Sequence, residues 1–333
     1  MTGDLAGRDP AAEGRPLPSA SVVICAYTQK RWPMLVEAVR SCLQQTVAPL
    51  ELIVCIDHND ELLSRCKAEA AGWQSGSPVP ITVVPNRFGG RLGSARTTAV
   101  QLAQGEVVAF LDDDAVAEPD WLENLLVPFS QDGAGAVGGA PVPIFHAPEP
   151  RWFPPAFYWV FGCAYEGLPT SRAPLKHLIG ANMAARRDAL LAIGGFHSDN
   201  HDDMDMCHRI AHEFPDRPVL YEPNAIVRHN VTPDRLTWHY FWRRCFFVNR
   251  GKVAAFRGMG EAANLDAEAS FALRSAYRAS KSAWRRAVAG DVFGLVRLLV
   301  LLAGLALAAA GNVSGHLWPE RTRGPGPGGL PVP

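Results

Sequence analysis

The sequence predicts an α/β fold in which a mostly parallel sheet is covered by helices on both faces. Four short β-rich runs alternate with four segments whose apolar residues recur at helical spacing. The runs are continuously apolar rather than alternating. That pattern is typical of strands buried on both faces, as in parallel sheets with helical crossovers.

The four strand–helix units follow one another in the first part of the chain. The predicted strands are SVVICAY (21–27), LELIVCID (50–57), ITVVP (81–85) and EVVAFLD (106–112). The predicted helices cover 33–45, 61–72, 92–104 and 119–129. From residue 141 a segment rich in Pro and aromatic residues breaks the alternation. Beyond it the patterns predict a helix over 186–193, strands over 219–221 and 226–229, and a basic helix over 234–257.

The composition is that of a globular protein with enough apolar residues for a full core. Of the 333 residues 48% are hydrophobic, and 32 Lys and Arg against 33 Asp and Glu give a net charge of −1. This balance argues against a nucleic-acid binder, because phosphate neutralisation needs a basic excess. Seven cysteines without a C-x-x-C pair indicate buried thiols rather than a zinc site or a disulfide framework.

The two ends of the chain differ. Residues 1–19 form a predicted disordered leader, and 311–333 a Pro/Gly tail. Between them, 292–310 is apolar except for Arg297, and nineteen helical residues span about 28 Å, close to the hydrocarbon thickness of a bilayer. This stretch is therefore predicted to be a transmembrane helix, which attaches the chain to the membrane by a single C-terminal span or peripherally. The preceding stretch, 258–291, is a predicted basic juxtamembrane helix that favours the cytoplasmic side and anionic lipid. The alternative for 292–310 is a buried helix of the soluble domain.

An acidic triplet follows the fourth predicted strand. Asp112, Asp113 and Asp114 stand where parallel sheets bind their ligands, beyond the carboxyl ends of the strands. Asp112 and Asp114 share a face of an extended segment, and Mg²⁺ or Mn²⁺ binds carboxylate together with phosphate oxygens. The triplet therefore predicts a metal–diphosphate site. The alternative is a solvated acidic turn before the next helix.

Six motifs in chain order resemble those of the family 2 glycosyltransferases. They are SVVICAYTQ, LIVCIDHND, GGRLGSARTTAV, VVAFLDDDA, IGANMAARRDALLAIGGF and HDDMDMCHR, within about residues 20–255. The resemblance implies the GT-A, or nucleotide-diphospho-sugar transferase, fold. A catalytic domain would cover 20–257, with a nucleotide-binding half at 20–140 and an acceptor half at 141–257. It also implies inverting, hexosyltransferase-type transfer from a UDP- or GDP-sugar, with Mg²⁺ or Mn²⁺, to a hydroxyl or phosphate.

The resemblance further implies roles for single residues. The implied nucleotide-sugar contacts are Ala26, Tyr27, Asp57, Arg96, Asp112 and Asp113. Asp114 would bind the metal together with Asp112, and Asp203 would be the catalytic base with Asp202 beside it. Two departures stand out: Thr97 where the family often has Asn, and Asp202 where it commonly has Glu.

Elementary chemistry supports a base at this position, because a carboxylate within hydrogen-bond reach can take the proton of an acceptor hydroxyl. The cluster of Asp199, Asp202, Asp203 and Asp205 would raise the pKa of one of its members toward a useful range. The alternative is that the cluster is simply the acidic first turn of an amphipathic helix.

Basic and histidine side chains further along the chain carry weaker expectations. His229 follows a predicted strand and is either an extra metal ligand or a structural surface histidine. Arg243, Arg244 and Lys252 stand among aromatic residues of the basic helix. They are candidates for contact with the donor diphosphate or a lipid phosphate, the alternative being an interfacial helix near the bilayer.

The segments RWFPPAFYWV and GLPTSRAP, with the apolar helix after them, resemble a bacterial membrane-associated branch often described as polyprenyl-linked sugar transferases. This resemblance implies a role in cell-envelope polysaccharide synthesis at the cytoplasmic face of the cell membrane, on a glycan or lipid-linked acceptor. A nucleotidyltransferase usually needs a Gly-rich phosphate loop after the first strand, and AYTQKRW has no glycine. A non-catalytic sugar-nucleotide-binding or scaffold protein predicts loss of the acidic pair, which is present.

Overall fold

The computed structural model describes residues 15–89, 91–197, 201–256 and 292–318, and isolated positions between 274 and 290. The predicted leader up to residue 14, most of the predicted juxtamembrane helix and residues 319–333 lie outside the described residues. The chain divides into two compact units. The first is drawn from Met1–Pro141 and Pro169–Arg228, and the second from Val142–Leu168 and His229–Gly324.

The first unit begins with the four predicted strand–helix units. The strands are β1 (Ala20–Ala26), β2 (Glu51–Ile56), β3 (Ile81–Pro85) and β4 (Val107–Asp112). The helices after them are α1 (Trp32–Leu43), α2 (Asp60–Gln74), α3 (Leu92–Leu102) and α4 (Trp121–Gln131). The strands pair in parallel, as the continuous apolar runs predict, and their order in the sheet is β3-β2-β1-β4. In this register Cys25 pairs with Cys55 on one side and with Asp112 on the other.

The rest of the sheet differs from the prediction. The added strands are β5 (Ala115–Ala117), β6 (Ala136–Phe145), β7 (Ala173–Pro174), β8 (Asn182–Arg186) and β9 (Val219–Val231). Because β8 runs antiparallel to both β4 and β6, the sheet is mixed rather than mostly parallel. The two strands predicted at 219–221 and 226–229 are one strand. Helices α5 (Arg187–Ala192) and α6 (Asp202–Glu213) complete this unit.

Small residues explain why β6 and β8 carry no strong strand signal. A Cβ atom on Gly139 would lie 2.0 Å from the carbonyl oxygen of Ala225, so the backbones approach too closely for a side chain. Buried Asn182 at the start of β8 accepts a hydrogen bond from Trp121 Nε1 at 2.8 Å and donates one to Ala225 O at 2.8 Å. These two hydrogen bonds hold the start of β8 against α4 and β9.

Apolar cores lie on both faces of the sheet, as predicted. Along β1, Val22 and Ile24 belong to a core with residues of α1, α2 and α4. Val23 between them belongs to a second core with residues of α3, α5 and α6. All seven cysteines are free, and the prediction of buried thiols is confirmed for six of them, Cys25 being partly exposed.

In the part of the second unit that the structure describes, there are an aromatic core and two long helices. Its elements are a 3-10 turn at Pro155–Phe161, a second at Pro233–Leu236, α7 (Trp238–Phe256) and α8 (Val292–Leu317). Phe153 and Phe241 are buried in its core with Leu301 of α8. Helix α8 continues to Leu317, so the prediction that the tail begins at residue 311 is wrong. Within α8, Phe293–Leu317 is long and apolar enough to cross a membrane, with a mean hydropathy of 2.3.

Candidate active site

The carboxyl ends of β1 and β2 lie side by side and present the predicted nucleotide contacts. The amide of Asp57 donates a hydrogen bond to Ala26 O at 2.8 Å. Ala26 is buried, whereas the side chain of Tyr27 is 57% exposed. The carbonyl oxygen of Tyr27 accepts a hydrogen bond from Asn59, which caps the N-terminus of α2. Of Ala26 at the end of β1 and Tyr27 directly after it, only Tyr27 therefore offers an exposed side chain to a ligand.

A polar network fixes Asp57 in place. Asn86, directly after β3, donates from Nδ2 to Asp57 Oδ1 at 2.8 Å and to Ser94 Oγ at 2.7 Å. Its Oδ1 accepts a hydrogen bond from Thr98 Oγ1 at 2.9 Å, so two residues of α3 orient the amide. The prediction missed Asn86. Its position at a strand end was the signal that would have found it.

The acidic triplet begins with the last residue of β4, Asp112, and continues through the turn that leads to β5. Asp113 and Asp114 are buried, Asp112 is partly exposed, and carboxylate oxygens of Asp112 and Asp114 lie within 4.8 Å of each other. Arg31, in the turn after β1, places Nη1 2.7 Å from Asp113 Oδ1 and 3.2 Å from Asp114 Oδ2. Sequence reasoning missed Arg31, because nothing in AYTQKRW distinguishes it from its basic neighbour Lys30.

The donor set at this turn fits a hard divalent cation. Asp112 and Asp114 supply carboxylate oxygens at neighbouring positions, which is the ligand chemistry Mg²⁺ and Mn²⁺ prefer. Burial raises the pKa of Asp113 to about 7 although Arg31 opposes the rise. Asp113 Oδ2 is also buried without a hydrogen-bond partner among the described residues. An excess of buried acid over base is what a cation would neutralise.

One buried arginine joins the triplet to the second acidic cluster. Arg96 of α3 is 2% exposed. Its Nη1 lies 2.7 Å from Asp202 Oδ2, and its Nη2 lies 3.1 Å from Asp112 Oδ1. Nη2 also donates to Gly180 O at 2.8 Å. The guanidinium therefore fixes the end of β4 and the first residue of α6 relative to each other, a geometry to which its planar fork is suited.

Asp203 has a different environment from its neighbour Asp202. Asp202 is buried against Arg96, whereas Asp203 is partly exposed. Asp203 Oδ2 accepts a hydrogen bond from the amide of Gly180 at 3.0 Å, and Oδ1 accepts one from the amide of Met204 at 2.8 Å. Burial and the charge of Asp202 raise the pKa of Asp203 to about 6. This carboxyl group is therefore oriented, accessible and ionised at neutral pH.

Gly180 is a part of this arrangement that sequence reasoning did not single out. A Cβ atom at this position would lie 3.2 Å from Asp203 Oδ2 and 3.3 Å from Arg96 Nη1. The absence of a side chain lets both groups reach the backbone of residue 180, which is a physical reason for glycine in IGANM. Asp205, one turn into α6, pairs with Arg209 at 2.9 Å within the helix.

The remaining predicted residues belong to the second unit. His229 is buried rather than at the surface, and its Nδ1 lies 3.7 Å from Cys163 Sγ. On α7, Arg243 and Arg244 are exposed. The guanidinium of Arg243 stands 5.2 Å from the ring centre of Phe247, and Arg244 Nε donates to Val160 O at 3.3 Å. Lys252, on the same helix, is partly buried. The proposed phosphate contacts of this helix stay predictions.

Comparison with known proteins gives one family match and several relatives. A family model described as glycosyl transferase family 2 matches residues 21–194, which include the triplet and Arg96 but end before Asp202. The glucosyl-dolichyl phosphate glucuronosyltransferase of Haloferax volcanii is 33% identical over 242 residues, 70% of this chain and 75% of that protein. The succinoglycan biosynthesis protein ExoM of Rhizobium meliloti is 31% identical over 176 residues, 51% of this chain and 52% of that protein.

Solved structures share the fold. The mannosyltransferase PcManGT from Pyrobaculum calidifontis, in complex with GDP-Man and Mn²⁺, has a TM-score of 0.58 at 21% identity and covers 92% of each chain. GalNAc-T7 with UDP, GalNAc and Mn²⁺ has a TM-score of 0.53 at 16% identity. That match covers 82% of this chain and 57% of the other. At such identities the likeness is one of fold.

Proposed function

The chain belongs to glycosyltransferase family 2 and has a GT-A-like α/β fold with a mixed sheet, and on this premise we propose that it is a metal-dependent, inverting glycosyltransferase. The donor would be a UDP- or GDP-sugar. The observation that carries the proposal is the Arg96 bridge. It brings a carboxylate of the proposed donor site, Asp112, and one of the base site, Asp202, onto a single buried guanidinium.

Donor binding is assigned to the strand ends. The exposed ring of Tyr27 and the oriented carboxylate of Asp57 are suited to the base and ribose of a nucleotide. Asp112 and Asp114 would bind Mg²⁺ or Mn²⁺, and Asp113 would contact the nucleotide sugar through the same turn. The bound metal would neutralise the charge that grows on the departing diphosphate. His229 is retained as a candidate third ligand on the chemistry of its imidazole.

Proton transfer is assigned to Asp203. Its two backbone hydrogen bonds hold the carboxylate in one orientation, and its partly exposed position leaves it open to an acceptor. With a pKa of about 6 it is mostly ionised at pH 7 yet more basic than an ordinary aspartate. Asp202 would act as a positioning residue, since its charge is already engaged by Arg96. A single base opposite one leaving group is the arrangement for displacement with inversion.

The acceptor is proposed to be lipid-linked. The relative from Haloferax volcanii is named for action on a glucosyl-dolichyl phosphate, and α8 gives this chain an apolar helix that would keep it at a membrane. A polyprenyl-linked acceptor, the cytoplasmic membrane face and a role in cell-envelope polysaccharide synthesis belong to the same proposal. So does a place in the bacterial membrane-associated branch. Arg243, Arg244 and Lys252 would then contact the lipid phosphate or the donor diphosphate.

A donor screen tests the proposal. Purified chain is incubated with UDP- and GDP-sugars, Mn²⁺ and either polyprenyl phosphates or soluble glycans, and release of nucleoside diphosphate is followed. We expect turnover with one donor class, its loss on chelation, and its return with Mn²⁺. Asp114→Asn should weaken Mn²⁺ binding, measured by calorimetry without donor. Asp188→Asn, an exposed carboxylate of the same unit, should not.

The main alternative is a non-catalytic sugar-nucleotide-binding or scaffold protein. It predicts donor binding without release of nucleoside diphosphate under any of these conditions, with the parent chain and the Asp188→Asn control behaving alike. That outcome would refute the catalytic proposal and leave the fold assignment untouched.

A further inference from the structure

Helix α8 presents an apolar stripe to the surface along its whole length. Seven of its exposed side chains, all of them apolar, recur every three or four residues and therefore lie on one face, while Val296, Ala310 and His316 are exposed beside them. The seven are Leu295, Leu299, Leu302, Ala306, Ala309, Val313 and Leu317. The side chain of Leu299, for example, is 66% exposed. Of the most apolar 18-residue stretch of the helix, 17% is buried. A soluble protein rarely leaves such a continuous face to water.

The opposite face of α8 packs against α7, and the two helices run in the same direction. A Cβ on Gly304 would lie 2.9 Å from the ring of Phe241, and one on Gly311 would lie 2.1 Å from Phe246 O. Further along, a Cβ on Gly315 would lie 2.7 Å from Arg250 O. Contacts advance together along both helices, so the pair is parallel and tightly packed.

Because α7 packs along α8, parts of α7 would also enter the bilayer if α8 crossed it. The middle of the apolar helix, between Gly304 and Gly311, is level with α7 between Phe241 and Phe246. Arg243 and Arg244 lie in that interval and are exposed. A crossing would carry both guanidinium groups to the centre of the hydrocarbon, where charges are costly. It would also place the 3-10 turn at Pro155–Phe161 in lipid, because Phe157 touches Gly304.

Chain direction gives a second argument. Two parallel helices that both crossed a membrane would need a third crossing between Phe256 and Val292 to return the chain to its starting side. That link contains exposed Arg274, Arg278, Lys281, Arg285 and Arg286, which exclude it as a span. The end of α7 and the start of α8 therefore lie on one side. Because Gly315 packs beside Arg250, the end of α8 lies on that side too.

We infer that α8 does not cross the membrane but lies in its plane, with the Leu295–Leu317 stripe inserted into the acyl boundary of one leaflet. The stripe binds an anionic bilayer surface. The basic residues between α7 and α8 complement anionic headgroups, and the leucines of the stripe supply the apolar contact. The inference deepens the membrane association that belongs to the proposed function, and it assigns both ends of α8 to the side of the catalytic unit.

Sidedness of single cysteines tests the inference in the full chain. Trp318→Cys marks the end of α8, and Ser75→Cys marks an exposed turn of the first unit. Both are expressed in a bacterial host and labelled with a membrane-impermeant maleimide–polyethylene glycol, in inverted membrane vesicles and in intact spheroplasts. The parent chain, whose cysteines are mostly buried, measures the background. We expect both cysteines to react in the same preparation. Reaction in opposite preparations would establish a span and overturn the inference.

A second measurement tests the stripe itself. The purified chain is floated with vesicles of phosphatidylcholine and phosphatidylglycerol. Leu299→Gln with Leu302→Gln should lower the partition coefficient at least tenfold, because two inserted leucines are lost. Leu50→Gln is the matched control, since Leu50 is 45% exposed and Leu302 48%. Unchanged flotation of the double variant, or a parent chain that dimerises through the stripe and ignores vesicles, would refute the inference. Donor turnover of detergent-solubilised protein reports separately on the proposed function.

Discussion

Replacement of Asp203 by asparagine separates catalysis from stability. The substitution Asp203→Asn would keep the size of the side chain and remove the basic oxygen. Loss of a positioned general base lowers kcat by about 10²- to 10⁴-fold. Donor and Mn²⁺ affinities should stay unchanged, because Asp203 contacts the backbone at Gly180 and Met204 rather than the triplet.

The pH profile follows from the raised pKa. The carboxyl group must be ionised to accept a proton, so the rate should rise with pH, reach half its plateau near pH 6 and level off above pH 7. At pH 5 about one-tenth of the plateau rate should remain, since about one molecule in ten is then ionised. A profile that is flat from pH 5 to 8 would contradict Asp203 as the base.

The same pKa predicts the opposite effect on stability. Folded Asp203 holds its proton more tightly than the unfolded chain does, so stability falls as pH rises between 3.8 and about 6. Above that range the cost is about 3 kcal/mol. Asparagine avoids the cost but loses one of the two backbone hydrogen bonds, about 1 kcal/mol, which leaves a net gain of about 2 kcal/mol at pH 8.

Steady-state release of nucleoside diphosphate and urea denaturation at pH 5 and pH 8 measure the two effects on one preparation. Asp188→Asn is the control, because its carboxylate is exposed and lies on α5. A variant that is inactive and also less stable at pH 8 would indicate a structural role for Asp203. One that turns over donor as fast as the parent would refute the base assignment.

Two further substitutions test the packing that supports the site and α8. Arg96→Met leaves the buried carboxylate of Asp202 and the partly exposed carboxylate of Asp112 without their shared cation. It should lower the free energy of unfolding by about 3–5 kcal/mol, measured by urea denaturation. A loss below about 1 kcal/mol would show that the bridge is not a major contributor. Gly311→Val places a branched side chain against Phe246 O and should release α8 from α7, seen as new protease cleavage within 292–318; unchanged protection would refute the close pairing.

The sequence predicted the part of the fold that is dictated by local pattern. Apolar runs predicted β1 to β4 and their parallel pairing, because burial on both faces requires such composition. It did not predict β6 or β8. There the strand state comes from neighbours: Gly139 and Asn182 fit against Ala225, a partner distant in the chain. The β-strand propensity of single residues does not predict contacts of this kind.

The candidate site was predictable to the extent that strand ends mark it. Asp57 and the triplet lie where the sheet rule places ligands, and Asn86 obeys the same rule. Arg31 and Gly180 depend on tertiary contacts and carry no local signal. Thr97, a departure from the family pattern, accepts a hydrogen bond from Phe196 N at 3.0 Å and donates one to Gly93 O. It therefore serves helix packing rather than the ligand.

The other departure, Asp202 in place of glutamate, has a geometric explanation. The guanidinium of Arg96 lies 2.7 Å from Asp202 Oδ2 while it also contacts Asp112. The shorter side chain of aspartate is therefore long enough to form this ion pair. This engagement decides which member of the pair can be basic. Asp202 forms an ion pair with the buried guanidinium of Arg96. Asp203 instead accepts hydrogen bonds from backbone amides, and its pKa is raised. If Arg96 paired with Asp203 instead, the pKa of Asp203 would fall and Asp203 would be a weaker base. We therefore expect Asp203 to be the better base of the two, because Arg96 is already paired with Asp202.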